Sequence, residues 1–308
     1  MSVAILFNQK ESAEWFEKLQ ALLPETKVEV YPAIEHFDEV EFIATWKPHL
    51  GYVNEFPNLK VVQSVGAGID HLLHTPIPSS TKICRIVDPA LKQEMFEHVL
   101  ACILSSMKKI LPYYQAQKEK KWHPVAYQSI NATTITVLGL GEIGKLVAEK
   151  LAILGFCVKG WSNSKKELDG IQSFAGKDEL ELAVKESHFV VNILPLTAET
   201  ENILNADLFS SFSPKTVLIN VGRGAHLVEN ELIDALNNGQ ISEAYLDVFR
   251  EEPLPKNHVF WTMNQIYITP HIASVTNAST ALNQVADNYK RMKRKQTLMN
   301  EVSLTRGY

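Results

Sequence analysis

The most constraining stretch of the chain runs from residue 133 to residue 161. A β-branched run at 134–138 leads into Gly139-Leu140-Gly141-Glu142-Ile143-Gly144. An amphipathic helical pattern then covers 143–154, and a second apolar strand pattern covers 156–161. Strand, glycine turn, helix and strand at this spacing read as a βαβ unit. Gly139 permits the tight turn out of the strand. Gly141 leaves bare backbone where a diphosphate must approach, and Gly144 lets the helix lie close on the strand. The amides at the helix start, including those of Glu142 and Ile143, suit an anion. Alone, the motif also fits a nucleotide-free α/β fold; its place between two strands and a helix favours a bound dinucleotide.

The end of the second strand bears on which dinucleotide. NAD-preferring sites place an acid there to bind the ribose hydroxyls. Eighteen residues after Gly144 the chain instead has Ser162, followed by Asn163-Ser164-Lys165-Lys166. Hydroxyls and lysines suit a 2′-phosphate, which an acid would repel. The expectation is NADP(H) in preference, with NAD(H) still usable; a plain polar loop is the competing reading.

Strand and helix patterns alternate through the rest of the chain. Strands are expected at 3–7, 28–31, 42–45, 61–65 and 83–87, then at 189–194, 217–221, 244–248 and 266–268. A helix over Trp15, Phe16, Leu19, Leu22 and Leu23 stops at Pro24. A long helix is expected over 94–111, with 115–124 polar and irregular after it. Such alternation predicts α/β architecture with parallel sheets covered by helices. The helical pattern at 276–293 has no sheet of its own to cover, so the chain is expected to return to its first domain. The predicted fold is therefore two doubly wound parallel-sheet domains, with a Rossmann cofactor domain (103–271) inserted in a discontinuous flavodoxin-like substrate domain (1–102 and 272–308).

Bulk properties narrow the partners. The 308 residues carry 30 Lys and Arg against 35 Asp and Glu, a formal net charge of -5. No nucleic-acid partner is expected from that balance. No apolar run approaches the ~20 residues of a membrane span. Cys84, Cys102 and Cys157 lie far apart among apolar neighbours, which predicts neither a disulfide framework nor a zinc site. The histidines show no metal-ligand spacing, so no metal is expected. These features fit a cytoplasmic enzyme.

Three segments fall just beyond predicted strand ends, where open α/β sheets bind ligands. They are Ile219-Asn220-Val221-Gly222-Arg223-Gly224, then 246–255 (Leu-Asp-Val-Phe-Arg-Glu-Glu-Pro-Leu-Pro), then Thr269-Pro270-His271-Ile272-Ala273. With Val65-Gly66-Ala67-Gly68-Ile69-Asp70, Leu194-Pro195-Leu196-Thr197 and the closing Arg306-Gly307-Tyr308, the chain resembles the D-isomer-specific 2-hydroxyacid dehydrogenases along essentially its whole length. Within them it looks most like the glyoxylate/hydroxypyruvate reductases. The resemblance implies a catalytic set of Arg223, Glu252 and His271. It also implies that Asp247 meets the nicotinamide carboxamide, that Leu194 and Pro195 flank the cofactor beside Val221 and Gly222, and that the protein is a homodimer.

The chemistry of reducing a small 2-oxo acid to a (D-)2-hydroxy acid accounts for these residue types. Hydride arrival builds negative charge on the carbonyl oxygen, and a protonated His271 supplies the proton. Glu252 holds the ring, and Arg223 offers a planar fork to the carboxylate and carbonyl oxygens. Glu251 is the rival for Glu252, which is preferred because it directly precedes Pro253; Arg250 and Glu251 are expected to be solvated. The backbone of Gly66, Ala67 and Gly68 is expected to take the other carboxylate oxygen. Trp46, in Trp46-Lys47-Pro48, either lines the substrate cleft or packs plainly, and Met95 stands likewise. Trp122 either meets substrate or a second subunit, or packs. The alternative functions are a nucleotide-sensing, corepressor-like binding protein and another substrate class, such as phosphonate, phosphoglycerate or formate.

Overall fold

The computed structural model describes residues 2–7, 12–72 and 75–302. The closing 306–308 motif lies outside them. In chain order the first elements are β1 (Ser2–Phe7), α1 (Ala13–Leu22), β2 (Lys27–Val30), β3 (Val40–Trp46), β4 (Val61–Ser64) and β5 (Lys82–Cys84). There follow α2 (Pro89–Met107), α3 (Ile110–Lys118), β6 (Thr134–Leu138), α4 (Glu142–Ile153), β7 (Cys157–Ser162), β8 (Ile171–Ala175), α5 (Leu180–Val184) and β9 (Phe189–Asn192). The rest are α6 (Ala206–Ser210), β10 (Thr216–Asn220), α7 (Glu229–Asn237), β11 (Ile241–Leu246), β12 (Ile266–Ile268), α8 (Ala278–Lys293) and β13 (Glu301–Val302).

The chain divides into two units. One comprises Met1–Pro89 with Thr276–Tyr308, the other Ala90–Val275. The first has the strand order β13-β5-β4-β3-β1-β2. Its pairings are parallel except at β13, which runs antiparallel to β5. Strands β1 and β3 are buried along nearly their whole length, which explains their near-continuous apolar sequence.

The second unit has the order β12-β11-β10-β9-β6-β7-β8, parallel throughout. Chain progression reverses direction between β6 and β9, which is the switch point where such sheets bind ligands. One sheet face is sealed by a cluster that includes Ile135, Val137, Val147 and Leu151.

Several expectations on this scaffold need correction. The unit boundaries fall at 89/90 and 275/276 rather than at 102/103 and 271/272. Met95, Phe96, Val99, Cys102 and Ile103 of α2 are buried in the same apolar cluster as Ile135 and Val137, so α2 goes with the second unit. At the other end the Ile272 and Ala273 amides are bonded to Asp247, and the Val275 amide to Glu94, which keeps 272–275 there too. The single helix expected over 94–111 is two helices, broken where Lys109 takes a left-handed conformation (φ 54°). Pro112 falls in the first turn of α3, where proline is tolerated, so helix continues through 118 into the stretch read as irregular. Strands β8 and β13 were not anticipated. No described helix is long and apolar enough to cross a membrane.

Candidate active site

The glycine turn occupies the switch point. Gly139 leaves β6 with φ 103°, a conformation that strongly favours glycine. Its amide donates to the Trp161 carbonyl of β7 (2.8 Å), and the Ile193 amide after β9 donates to the Leu138 carbonyl (2.9 Å). A Cβ on Gly144 would stand 1.8 Å from the Gly139 carbonyl oxygen, so helix α4 lies as close to the turn as backbone permits.

Gly141 differs from both. Its φ of -76° is open to any residue, and a Cβ there would meet nothing within 4 Å. Neither backbone nor packing requires glycine, so the bare space fits an external group. The Lys145 amide makes its helical bond back to the Gly141 carbonyl (2.9 Å), which leaves the Glu142 and Ile143 amides at the open helix end. Open space beside the amides of a helix start has the chemistry that a diphosphate requires. Leu140 is buried beneath the turn, while the Glu142 side chain is exposed and paired with Lys92.

Past β7, Ser162 is buried and its hydroxyl donates to the Ser164 carbonyl (2.8 Å). Its proton shapes the loop. The exposed side chains of Asn163, Ser164, Lys165 and Lys166 are the groups presented outward.

The catalytic candidates lie at the carboxyl ends of neighbouring strands: Leu194 and Pro195 after β9, Val221 to Arg223 after β10, Asp247 and Glu252 after β11, His271 after β12. Because every pairing is parallel, all four loops leave the same sheet edge. His271 Nδ1 lies 2.8 Å from Glu252 Oε2, and Glu252 Oε1 accepts the Phe249 amide at 3.1 Å. The carboxylate therefore holds the imidazole and is itself held. Both side chains keep partial exposure, 34% for His271 and 23% for Glu252. Of the adjacent acids, it is Glu252 that makes this contact.

His271 itself sits in left-handed backbone (φ 54°), a strain of ~1 kcal/mol or more for a non-glycine residue. Asp247 helps to hold it there. Its carboxylate is 2% exposed and accepts the Thr269 hydroxyl (2.6 Å), the Ile272 amide (2.9 Å) and the Ala273 amide (2.9 Å). The Asp247 carbonyl also accepts the His271 amide at 2.8 Å. In this structure the side chain expected to meet a carboxamide clamps the histidine loop. His98 of α2 lies within electrostatic reach of Asp247, and burial holds its pKa below the usual imidazole value despite that carboxylate.

Arg223 is partly buried, with its Nη1 donating to the Gly222 carbonyl at 2.8 Å. Its loop is pressed against the glutamate loop: a Cβ on Gly224 would stand 1.9 Å from the Phe249 carbonyl carbon. Arg250 is exposed, as expected, and also reaches back across this contact. It donates to the Leu227 carbonyl (2.9 Å), the Ala225 carbonyl (3.1 Å) and Asn202 Oδ1.

In the first unit, Trp46 ends β3 and lies against Gly66, where a Cβ would be 2.3 Å from its ring. It also meets the His71 ring, centroid to centroid 4.5 Å. The loop after β4 is tied by Ser64, whose hydroxyl is within bonding distance of the Gly66 and Gly68 carbonyls. The Val65 amide is spent on Thr45 and that of Gly66 on Ser64 Oγ. Among the described residues, the Ala67 and Gly68 amides make no such bond, which narrows the anion-binding candidates to these two. Met95 is buried in the core of the second unit. Trp122 is 98% exposed, so plain packing does not describe it.

Residues 100–273 match the family model described as D-isomer specific 2-hydroxyacid dehydrogenase, NAD binding domain. A glyoxylate/hydroxypyruvate reductase A of Yersinia enterocolitica is 36% identical over 304 residues, covering 97% of each chain. The chain belongs to the D-isomer-specific 2-hydroxyacid dehydrogenases. Among solved family structures, one from Xanthobacter autotrophicus Py2 in complex with NADPH and MES superposes with a TM-score of 0.95 at 36% identity, covering 100% of this chain and 99% of that one. A second, an NADPH-dependent glyoxylate/hydroxypyruvate reductase from Sinorhizobium meliloti in complex with NADP and sulfate, gives 0.91 at 31% identity over the full length of both.

The family resemblance did not single out the residues that brace these loops. Asn192 and Asn220 read as ordinary strand residues, and His226 as one histidine among ten. The one available signal was that two asparagines end two apolar runs, where buried amides need partners.

Proposed function

We propose that this dehydrogenase reduces glyoxylate, hydroxypyruvate or a similar small 2-oxo acid with NADPH, yielding the D-hydroxy acid where the product is chiral. The observation that carries the reading is the Glu252–His271 pair at 2.8 Å on the sheet edge that also bears the glycine turn and Arg223. The named reductase relatives support the substrate class, and the NADPH and NADP complexes of relatives support the cofactor.

Bound at 139–144, with its 2′-phosphate on 163–165, the nucleotide supplies the hydride. The chain's own residues do the rest. Arg223 keeps a fixed positive charge for the substrate carboxylate and for the oxygen on which charge develops. Glu252 accepts from His271 Nδ1–H, which orients the ring and leaves Nε2 as the atom that delivers the proton. We assign a role in carboxylate binding to the Ala67 and Gly68 amides, and to Gly66 and Trp46 the shaping of their loop. Val221 and Gly222 support the cofactor side.

We also assign a cytoplasmic homodimer. Ile110, Tyr114, Trp122, Val125 and Tyr127 are large, exposed apolar side chains within one short stretch, which favours a protein interface. Three cysteines without disulfides suit a reducing compartment.

The test of the function follows NADPH consumption with glyoxylate, hydroxypyruvate and other 2-oxo acids. Turnover of at least one small 2-oxo acid with NADPH, and weaker activity with NADH, is expected; no turnover of any of them would overturn the reading.

A further inference from the structure

We propose that His226 is a positioning residue whose two ring nitrogens separately set the arginine loop and the 194–195 loop. The ring is fully buried. Nδ1 lies 2.8 Å from Asn192 Nδ2 and 3.1 Å from the Arg223 amide nitrogen. Both neighbours are donors, so Nδ1 is the acceptor. Nε2 lies 3.2 Å from the Pro195 carbonyl, which only accepts, so Nε2–H donates. The contacts thus select one neutral tautomer.

Two asparagines complete the brace. Asn192 and Asn220 are register partners at the ends of β9 and β10. Asn192 Nδ2 also donates to Asn220 Oδ1 (2.9 Å), and Asn192 Oδ1 accepts the Leu194 amide (3.3 Å). Asn220 Oδ1 accepts the Gly222 amide (3.3 Å), and its Nδ2 donates to the Arg223 carbonyl (3.2 Å). The outward bonds of the trio end on the backbones of the two loops: Leu194 and Pro195 on one side, Gly222 and Arg223 on the other. Gly222 makes room for it, since a Cβ there would be 2.9 Å from Asn192 Nδ2 and 3.0 Å from His226 Nδ1. An apolar trio would fill the same core but leave these loop groups unpaired. What the polar trio adds is a fixed geometry between the two loops.

This inference rests on the assignment of Arg223 to substrate and of 194–195 to cofactor, and its test separates the two ring nitrogens. In His226→Asn the amide oxygen takes the place of Nδ1, while nothing reaches the Pro195 carbonyl. In His226→Gln the amide nitrogen takes the place of Nε2, while the acceptor for Asn192 and Arg223 is lost. The holoenzyme is assayed for KM with glyoxylate, Kd for NADPH by fluorescence, and thermal midpoint. His226→Asn is expected to raise the NADPH Kd about fivefold with KM for glyoxylate nearly unchanged. His226→Gln is expected to raise KM about fivefold or more with Kd nearly unchanged, one hydrogen bond being lost in His226→Asn and two in His226→Gln. Should both variants shift both constants alike, or only lower the thermal midpoint, the proposal is overturned. If neither folds, Gly222→Ala, which crowds Asn192 and His226 while deleting no polar group, carries the test: it is expected to raise both constants, and unchanged constants overturn the proposal. Arg223→Lys is the control. If it leaves KM unchanged, the assignment of Arg223 is at fault, and the NADPH arm of His226→Asn still decides the Pro195 half.

Discussion

Replacing Gly141 by alanine separates what the fold requires from what a ligand requires. Two small terms act on stability. Alanine restricts the unfolded chain and stabilises by about 0.4–1 kcal/mol where the native backbone suits it, as φ -76° does here. Gly141 is also the residue capping α4, where alanine is worse than glycine by roughly 0.5–1 kcal/mol. With no atom within 4 Å of the new methyl, no steric cost is added. The two terms nearly cancel, so the denaturation midpoint should hardly move. Cofactor binding should respond differently. A methyl in the space reserved for the diphosphate costs one charge-assisted hydrogen bond, about 1.5–3 kcal/mol, or roughly 10- to 150-fold in NADPH affinity. Urea unfolding followed by tryptophan fluorescence gives the first quantity, and NADPH titration of the same preparation gives the second. An unchanged NADPH Kd in a normally stable variant would refute the reasoning. A large loss of stability would equally show that the turn is packed more tightly than the geometry indicates.

Gly224→Ala makes the opposite case. Its methyl would stand 1.9 Å from the Phe249 carbonyl carbon, so the Arg223 and Glu252 loops must separate by ~1 Å or more, lowering kcat/KM with glyoxylate about 100-fold; a value within threefold of wild type, in folded protein, contradicts this. Ser162→Asp puts a carboxylate beside the 163–165 loop to which the 2′-phosphate is assigned, and should cut the NADPH-over-NADH ratio of kcat/KM at least about tenfold, with an unchanged ratio placing the phosphate elsewhere. Burial pushes the Cys84 and Cys102 thiols up to about 12, which leaves almost no thiolate at pH 8, whereas Cys157 is exposed. Alkylation of the native enzyme, read by mass, should therefore stop at one adduct, on Cys157; raising the pH toward 12 exposes the other two sites only as their thiolates form.

The fold was legible where one segment carries its own signal. Gly139 and Gly144 mark a βαβ turn because each answers a local demand of the backbone, whereas Gly141 leaves space that the fold itself does not use. The apolar runs of β1, β3, β9 and β10 read as strands because they are buried on both sheet faces. The break at Lys109 was not legible, because lysine carries no turn signature. β13 is too short for a period to appear, and it exists because β5 offers it an edge. The site divides the same way. Arg223, Glu252 and His271 stood out through the family resemblance of their segments, and the structure brings Glu252 against His271. The roles of Asp247 and His226 come from bonds to particular backbone groups, and either residue would look the same in the sequence if it were solvated; Arg250 is exposed, and its bonds to 202, 225 and 227 are no easier to read.

The most direct test of the central claim, that His271 delivers the proton while Glu252 holds it, is the single-turnover rate of hydride transfer to glyoxylate in His271→Gln, with NADPH affinity measured on the same protein. The account predicts a rate about 10²- to 10⁴-fold below wild type with the NADPH Kd unchanged. A rate within a few-fold of wild type at full NADPH occupancy would contradict it.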